Sequence, residues 1–548
     1  MTSTASAGLG PLDWAVVGAY FVLLTICGWF FARRQKSTRE YFLGANRIPT
    51  WAAAVSFLAT ALSAATFIGA PQQAYTGDLT YLSANLGSLL AILIVAFFFV
   101  PVFYARKVAT VYELLGQRFG PAAQRAAGAT FLAGRVLASG ARLYIGAIPL
   151  SLIVFGDLEL PHLLLGIAAL TVAGALYTLA GGIRSVIWTD VVQTVVFVAA
   201  VLAAFILLWC RIPADAGQIR QALDSPGPGQ PSKLTFLRLE HSEHVYTLWT
   251  ALFGFTLFNL AAYGADHDLA QRLLTCRSAA KGSRSAWMAI LIGLPVTFLF
   301  MAIGLLLYVF YQRPELMGAA APRYSPGGDR EVFLTFILRE MPQGLSGLMI
   351  AGLFAVSLGS LVSALNAMSA SFVNDLYRQL APGREDAHYL RVGRWGVLVA
   401  GATLGLFAAV SAWWQDAQQT AGGGTTLIDF ALGVMTFAYS GLAAVFLTAI
   451  FTRRGSAASA LAALIVGFAS VGLMRSPAAC RLLGVPELAY LAYPWQLVIS
   501  VALSFGVCCL GRRAAESRPV AASDLQAKPA TVRAPAVPAP VAARAAAS

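Results

Sequence analysis

Apolar runs of roughly 20 residues, the length a helix needs to cross the hydrocarbon core of a bilayer, recur about 13 times in the chain. They lie near 12–32, 50–70, 81–104, 126–154, 161–180, 187–209, 245–264, 287–311, 345–374, 392–412, 427–451, 457–474 and 491–511. A soluble core cannot hide that much apolar surface. With 58% hydrophobic and 11% charged residues, and a mean hydropathy of +0.70, the chain also has too little charge to solvate it. The expected fold class is an all-α membrane protein of about 13 transmembrane helices.

Charge then orients the chain. Most of the 38 Lys and Arg residues fall in alternate connections, at 33–47, 105–125, 181–186, 272–284, 378–394 and 453–454, and after 511. Basic residues are retained in the cytoplasm, so the pattern predicts an outside N-terminus and a cytoplasmic C-terminus in a plasma (inner) membrane. The net charge of +13 is therefore read as topology, and no nucleic-acid partner is expected. The first run, Leu12 to Ala32, lacks the flanks of a signal peptide and reads as a retained helix. The loops 210–245 and 312–342 carry Pro, Gly and mixed charge and are expected to cap the outer face; the Ala/Pro/Val-rich tail from 514 to 548 is expected to be disordered.

Two runs are unlike lipid anchors. From Trp51 to Tyr75 the middle is Ala, Ser, Thr and Gly, followed by Gly69 and Pro71, a composition that predicts an interrupted helix turning carbonyls toward a cavity. From Ala355 to Ser371, the residues Ser357, Ser360, Ser363, Asn366 and Ser371 form a polar stripe at mostly three-residue spacing. Such a stripe serves either interhelical hydrogen bonding or a hard cation, which takes neutral oxygens at short range.

Ionisable residues inside spans are few. Arg135 and Arg142 stand seven positions apart, on one helical face. Arg135, nearer a span end, is expected to snorkel or pair structurally; Arg142, near mid-span, either does the same or recognises a carboxylate with its forked guanidinium. The five histidines (162, 241, 244, 267, 388) lie at loops or span ends and predict surface placement rather than a metal site. No Gly-x-Ser-x-Gly, His-Glu-x-x-His or nucleotide-binding loop is present, which argues against an enzyme and against a primary pump. A channel or a transporter-like sensor remains the alternative class.

Several segments, in order, carry a family resemblance: Tyr112-Glu-Leu-Leu-Gly-Gln-Arg-Phe-Gly, Tyr177-Thr-Leu-Ala-Gly-Gly-Ile-Arg-Ser-Val-Ile-Trp-Thr-Asp-Val-Val-Gln, Asp266-His-Asp-Leu-Ala-Gln-Arg-Leu-Leu-Thr, Leu365-Asn-Ala, Asn374-Asp-Leu-Tyr-Arg and Phe451-Thr-Arg-Arg-Gly. Over roughly residues 12 to 475 the chain resembles the sodium:solute symporters, the group that includes sodium/glucose, proline, iodide and sialic acid carriers. The resemblance implies a LeuT-like core of two five-helix inverted repeats, working by alternating access with substrate between two broken helices. The divisions it implies are an extra helix and loop at 1–49, a first repeat at 50–209, an external loop at 210–244, a second repeat at 245–451 and extra helices at 452–513. The second interruption is expected near Asn259 to Gly264.

The same resemblance implies a sodium site built from the carbonyls of Ala59, Leu62 and Val356 and the hydroxyl of Ser360. Relatives usually place two adjacent hydroxyl residues where this chain has Gly359-Ser360, so one ligand is missing; a water or Ser363 could replace it, and proton coupling or uncoupled transport gains ground. Asp190 and Ser363 remain from a second ion site seen in some relatives, and one Na+ per cycle is expected. Asp190, read at the cytoplasmic end of its span, either attracts an exiting cation or caps a helix start. Candidate substrate-lining residues are Ala61, Ser63 and Thr66 on the first broken span, Asn85 and Ser88 on the next, Arg142, and Asn259 and Tyr263 on the second broken span. The leading substrate is a small organic anion, carboxylate or sialate, with a sugar as the alternative; the expected partners are that solute and the lipid bilayer, with no obligatory protein partner.

Overall fold

The computed structural model describes residues 9–31, 38–180, 182–240, 244–322, 324–420 and 426–512; the tail expected to be disordered and His241 lie outside them. Helices dominate throughout. In chain order the main ones are α1 (Pro11–Phe31), α2 (Thr50–Ala61), α3 (Ala64–Thr76), α4 (Leu79–Ala105), α5 (Val111–Phe119), α6 (Pro121–Val154), α7 (Leu160–Ala180) and α8 (Ile183–Arg211). They are followed by α9 (Thr250–Ala265), α10 (His267–Leu274), α11 (Ala279–Gln312), α12 (Leu345–Leu380), α13 (Asp386–Thr420), α14 (Leu427–Phe451), α15 (Ala457–Met474) and α16 (Tyr493–Leu510). Among the described residues, 11 helices are long and apolar enough to span a membrane, and α2 with α3 makes a further span bent by 62°.

The bend falls earlier than Gly69 and Pro71 predict. Leu62 (φ −77°, ψ 148°) and Ser63 (φ −151°, ψ 175°) are extended, and the helix resumes at Ala64 with Gly69 and Pro71 inside it. Those two residues serve packing instead. A β-carbon on Gly69 would lie 3.2 Å from the backbone nitrogen of Ile428, and Gly304 of α11 lets that helix pass against the Pro71 carbonyl. Neighbouring helices thus hold α3 straight across a proline that would weaken an isolated helix.

The second interruption lies just beyond the predicted stretch. The chain widens into π-turns at Thr250–Phe255 and Ala261–Ala265, then breaks at Asp266 (φ −88°, ψ 119°) before α10. The Asp266 carboxylate caps α10 by accepting from Asp268 N at 3.0 Å.

Two further expectations are corrected. Asp190 is two turns inside α8, which starts at Ile183, and is 2% exposed, so it is not a helix-start cap. His267 is fully buried, flanked by the rings of Tyr112 and Phe131, because the break at Asp266 turns it into the bundle.

The connection between α8 and α9 closes over the end of α3. Lys233 Nζ donates to the Tyr75 and Gly77 carbonyls at 2.8 and 2.9 Å, and Arg238 pairs with Asp78 at 2.6 Å. The Lys233 contacts satisfy carbonyls that the end of α3 leaves unpaired, and Arg238 balances the Asp78 carboxylate just beyond it.

Candidate functional site

Leu62 N–H still donates to the Leu58 carbonyl at 2.9 Å, but because α2 stops at Ala61 the carbonyls from Ala59 onward have no following turn of the same helix to accept from. Ala59 and Leu62 line a small cavity of about 10 Å³ together with Val356 and Gly359 of α12 and Gln193 and Thr194 of α8. That is room for about one water molecule or a small dehydrated cation. Neutral oxygens around so small a space suit a hard monovalent cation, which gains ligands without a full charge being buried.

The six residues proposed for ions separate into groups. Ala59, Leu62 and Val356 share this cavity. Ser360 is one residue from its rim, with its hydroxyl donating to the Ser357 carbonyl at 3.1 Å. Ser363 and Asp190 belong to a different, buried polar cluster. Ser363 Oγ donates to Asp268 Oδ1 at 2.5 Å and accepts from Arg272 Nη2 at 2.5 Å, while Asp190 accepts from Ser56 Oγ at 2.5 Å and lies 3.9 Å from Arg272 Nη2.

That cluster extends along α10. Arg272 Nη1 also binds Asp268 Oδ1 at 2.9 Å, and Asp268 Oδ2 is 3.2 Å from Arg135 Nη1. Arg135 in turn binds Asp266, whose Oδ2 accepts from Tyr439 Oη at 2.8 Å. Arg135 is thus structurally paired, although it lies near the middle of α6 and not near a span end, and being buried it does not snorkel. Two guanidinium and three carboxylate groups hold α6, α8, α10, α12 and α14 together, each charge having a partner as burial demands.

Adjoining this cluster at Arg135 and Tyr439, a cavity of about 160 Å³ opens between the two helix breaks. Ala61, Ser63 and Thr66 reach it from the first break, and Asn85 and Ser88 from α4. Asn259, Tyr263 and Arg142 complete the set, so all eight proposed substrate-lining residues border one space. Tyr263 Oη meets Ser88 Oγ at 3.3 Å, and Asn259 donates to its own helix at Phe255 O, which turns its amide oxygen free of that bond. Arg142 has no ion pair among the described residues; its one described hydrogen bond goes to Met435 Sδ at 3.6 Å.

Sequence reasoning missed several of these positions. Tyr81, Thr297 and Tyr439 also face the larger cavity, and Gln193 and Thr194 the smaller one. Asp266, Asp268 and Arg272 stood in a quoted motif, and their signal was three charges within seven residues beside a span.

Comparison with known proteins is consistent with this geometry. The model of the sodium:solute symporter family matches residues 41–467. The sodium/sialic acid symporter NanT of Aliivibrio fischeri is 29% identical over 468 residues, covering 85% of this chain and 88% of its own. The sodium/sialic acid symporter SiaT of Proteus mirabilis is 29% identical over 467 residues, covering 84% and 89%. A solved structure of a Na+-coupled sialic acid symporter in a substrate-bound outward-open state superposes with a TM-score of 0.75 at 26% identity, over 91% of this chain and 97% of the other. With two broken helices meeting at a polar cavity and a family match across most of its length, the chain belongs to the sodium:solute symporter family.

Proposed function

We propose that this chain carries a small organic anion across the membrane together with Na+, by alternating access around the two helix breaks. The observation that supports the anion is Arg142: a guanidinium at the cavity wall with no carboxylate partner among the described residues is poised to form a forked pair with one brought by substrate. Around it Ser63, Thr66, Asn85, Ser88, Asn259 and Tyr263 offer neutral hydrogen-bonding groups. With Arg135 neutralised by Asp266 and Asp268, one cation without an ion pair among many neutral donors and acceptors matches a hydroxylated carboxylate such as sialate, the solute named for two relatives.

The ion site in this reading uses the carbonyls of Ala59, Leu62 and Val356, with Ser360 beside them. One Na+ moves per cycle, since Arg272 already supplies the positive charge between Asp190 and Ser363. The working repeats are 50–209 and 245–451, flanked by the segments 1–49 and 452–513, with 210–244 as an external cap. The basic-residue pattern supports an outside N-terminus and a cytoplasmic C-terminus in the inner membrane.

The test is uptake into proteoliposomes of labelled pyruvate, sialate, proline and glucose, with and without an inward Na+ gradient. Saturable, Na+-stimulated uptake of an acid supports the proposal. Uptake that is insensitive to Na+, or confined to neutral solutes, overturns it.

A further inference from the structure

We infer that the side-chain oxygen of Gln193 completes the cation site at the position where Gly359 leaves it without a hydroxyl. The inference rests on the Na+-coupled reading above and goes beyond it by naming a ligand outside the helix pair that supplies the carbonyls. Gln193 lies on α8, is 5% exposed, and borders the small cavity together with Ala59, Leu62, Val356 and Gly359. Its Nε2 donates to Tyr20 Oη of α1 at 3.5 Å, which leaves the amide oxygen turned to the other side. There, Oε1 lies 2.6 Å from the point that a β-carbon on residue 359 would occupy.

Gln193 and Gly359 are therefore a matched pair. Any residue with a side chain at 359 would strike the amide, and the volume a hydroxymethyl group would fill is taken by the amide oxygen. An amide carbonyl is a neutral, hard oxygen of the same class as the backbone carbonyls beside it, so it substitutes chemically for a hydroxyl toward a small cation. Of the hydroxyls nearby, Ser363 Oγ is engaged on both sides, donating to Asp268 and accepting from Arg272, while Ser360 Oγ donates to Ser357 O and keeps its lone pairs. Thr194, the remaining hydroxyl on the cavity, donates its proton to Asp190 O at 2.7 Å and keeps its lone pairs for the cation. Through Tyr20, the helix α1 holds the amide in the orientation that presents oxygen rather than nitrogen.

The experiment measures binding of 22Na+, and the Na+-dependent rise in melting temperature against choline, on purified wild type, Gln193→Leu, Gln193→Glu, Gly359→Ser and the double variant Gln193→Ala/Gly359→Ser. Expected are a loss of at least about tenfold in Na+ affinity for Gln193→Leu, in line with removing a hydrogen-bonding or ligating group toward a charge. Gln193→Glu should bind Na+ more tightly than wild type, because a carboxylate replaces a neutral oxygen. Gly359→Ser alone should weaken binding, and the double variant should recover it, because the hydroxyl then occupies the space the amide vacates. Gln193→Leu or Gln193→Glu binding Na+ with wild-type affinity would overturn the role of Gln193 while leaving Na+ coupling standing. Wild type without any Na+ response would overturn the Na+ reading itself, and this inference with it. Should Gln193→Leu fail to fold, Gln193→Glu and the double variant decide the question alone.

Discussion

Arg135 Nη2 of α6 lies 2.5 Å from Asp266 Oδ2, the carboxylate that ends the π-widened helix α9 and caps α10. One ion pair thus ties a long scaffold helix to the point where the second broken helix changes direction. Arg142, two turns further along the same face, has no such partner among the described residues. Two arginines on one helical face, both bordering the larger cavity, are therefore placed differently: Arg135 is ion-paired at the break, and Arg142 forms no ion pair among the described residues.

Removing Arg135 leaves Asp266 without a cationic partner, and removing Asp266 leaves Arg135 with Asp268 alone. Arg135→Met or Asp266→Asn is expected to destabilise the protein by about 3–5 kcal/mol, the usual cost of breaking such a pair. Melting curves in detergent check this. A shift too small to measure for both variants would mean that the pair is dispensable.

Arg142→Gln keeps a donor and removes the positive charge. The half-saturating concentration for anionic solutes is expected to rise by about tenfold or more, while any neutral solute is unaffected, because a charge-assisted bond is lost only where a carboxylate is present. Competition uptake with paired acids and their amides checks it, and equal effects on both would make Arg142 a structural residue.

Arg272 is fully buried against Asp268, Asp190 and Ser363. Arg272→Gln leaves two carboxylates short of positive charge, so the variant is expected to melt lower and to regain stability on adding Na+ by more than wild type does, as a bound cation takes the vacated place. An equal Na+ response in both proteins would contradict the view that Arg272 excludes a second ion.

Lys233, in the connection over the end of α3, has its ammonium lowered to about 8 by burial, opposed by the charge of Asp78. Its folded value is below the ordinary lysine range of about 10.4, so between those limits the unfolded chain holds a proton that the folded one has lost. Stability contributed through Lys233 therefore rises with pH across that window, and the penalty for keeping it charged is fully present below about 8. The difference in melting temperature between wild type and Lys233→Met should move in favour of wild type from pH 8 to 10; parallel curves would refute it.

Much of this organisation is visible in the residues alone, and the boundary is physical. The all-helical membrane-spanning class, the weak helix between Trp51 and Tyr75, the polar face of α12 and the shared face of Arg135 and Arg142 follow from hydropathy and the 3.6-residue period, which act over one or two turns. The bend at Leu62 and Ser63, rather than at Gly69 and Pro71, was decided by packing, since Ile428 and Gly304 accept a close, straight α3 where isolated chemistry favours a kink. Only the tertiary structure could assign partners to charges: Asp266 is 131 positions from Arg135, and no local pattern tells which carboxylate will neutralise which arginine. The same holds for the pairing of Gln193 with Gly359, because a glycine reads as a missing ligand until a side chain from another helix is seen in the space it leaves.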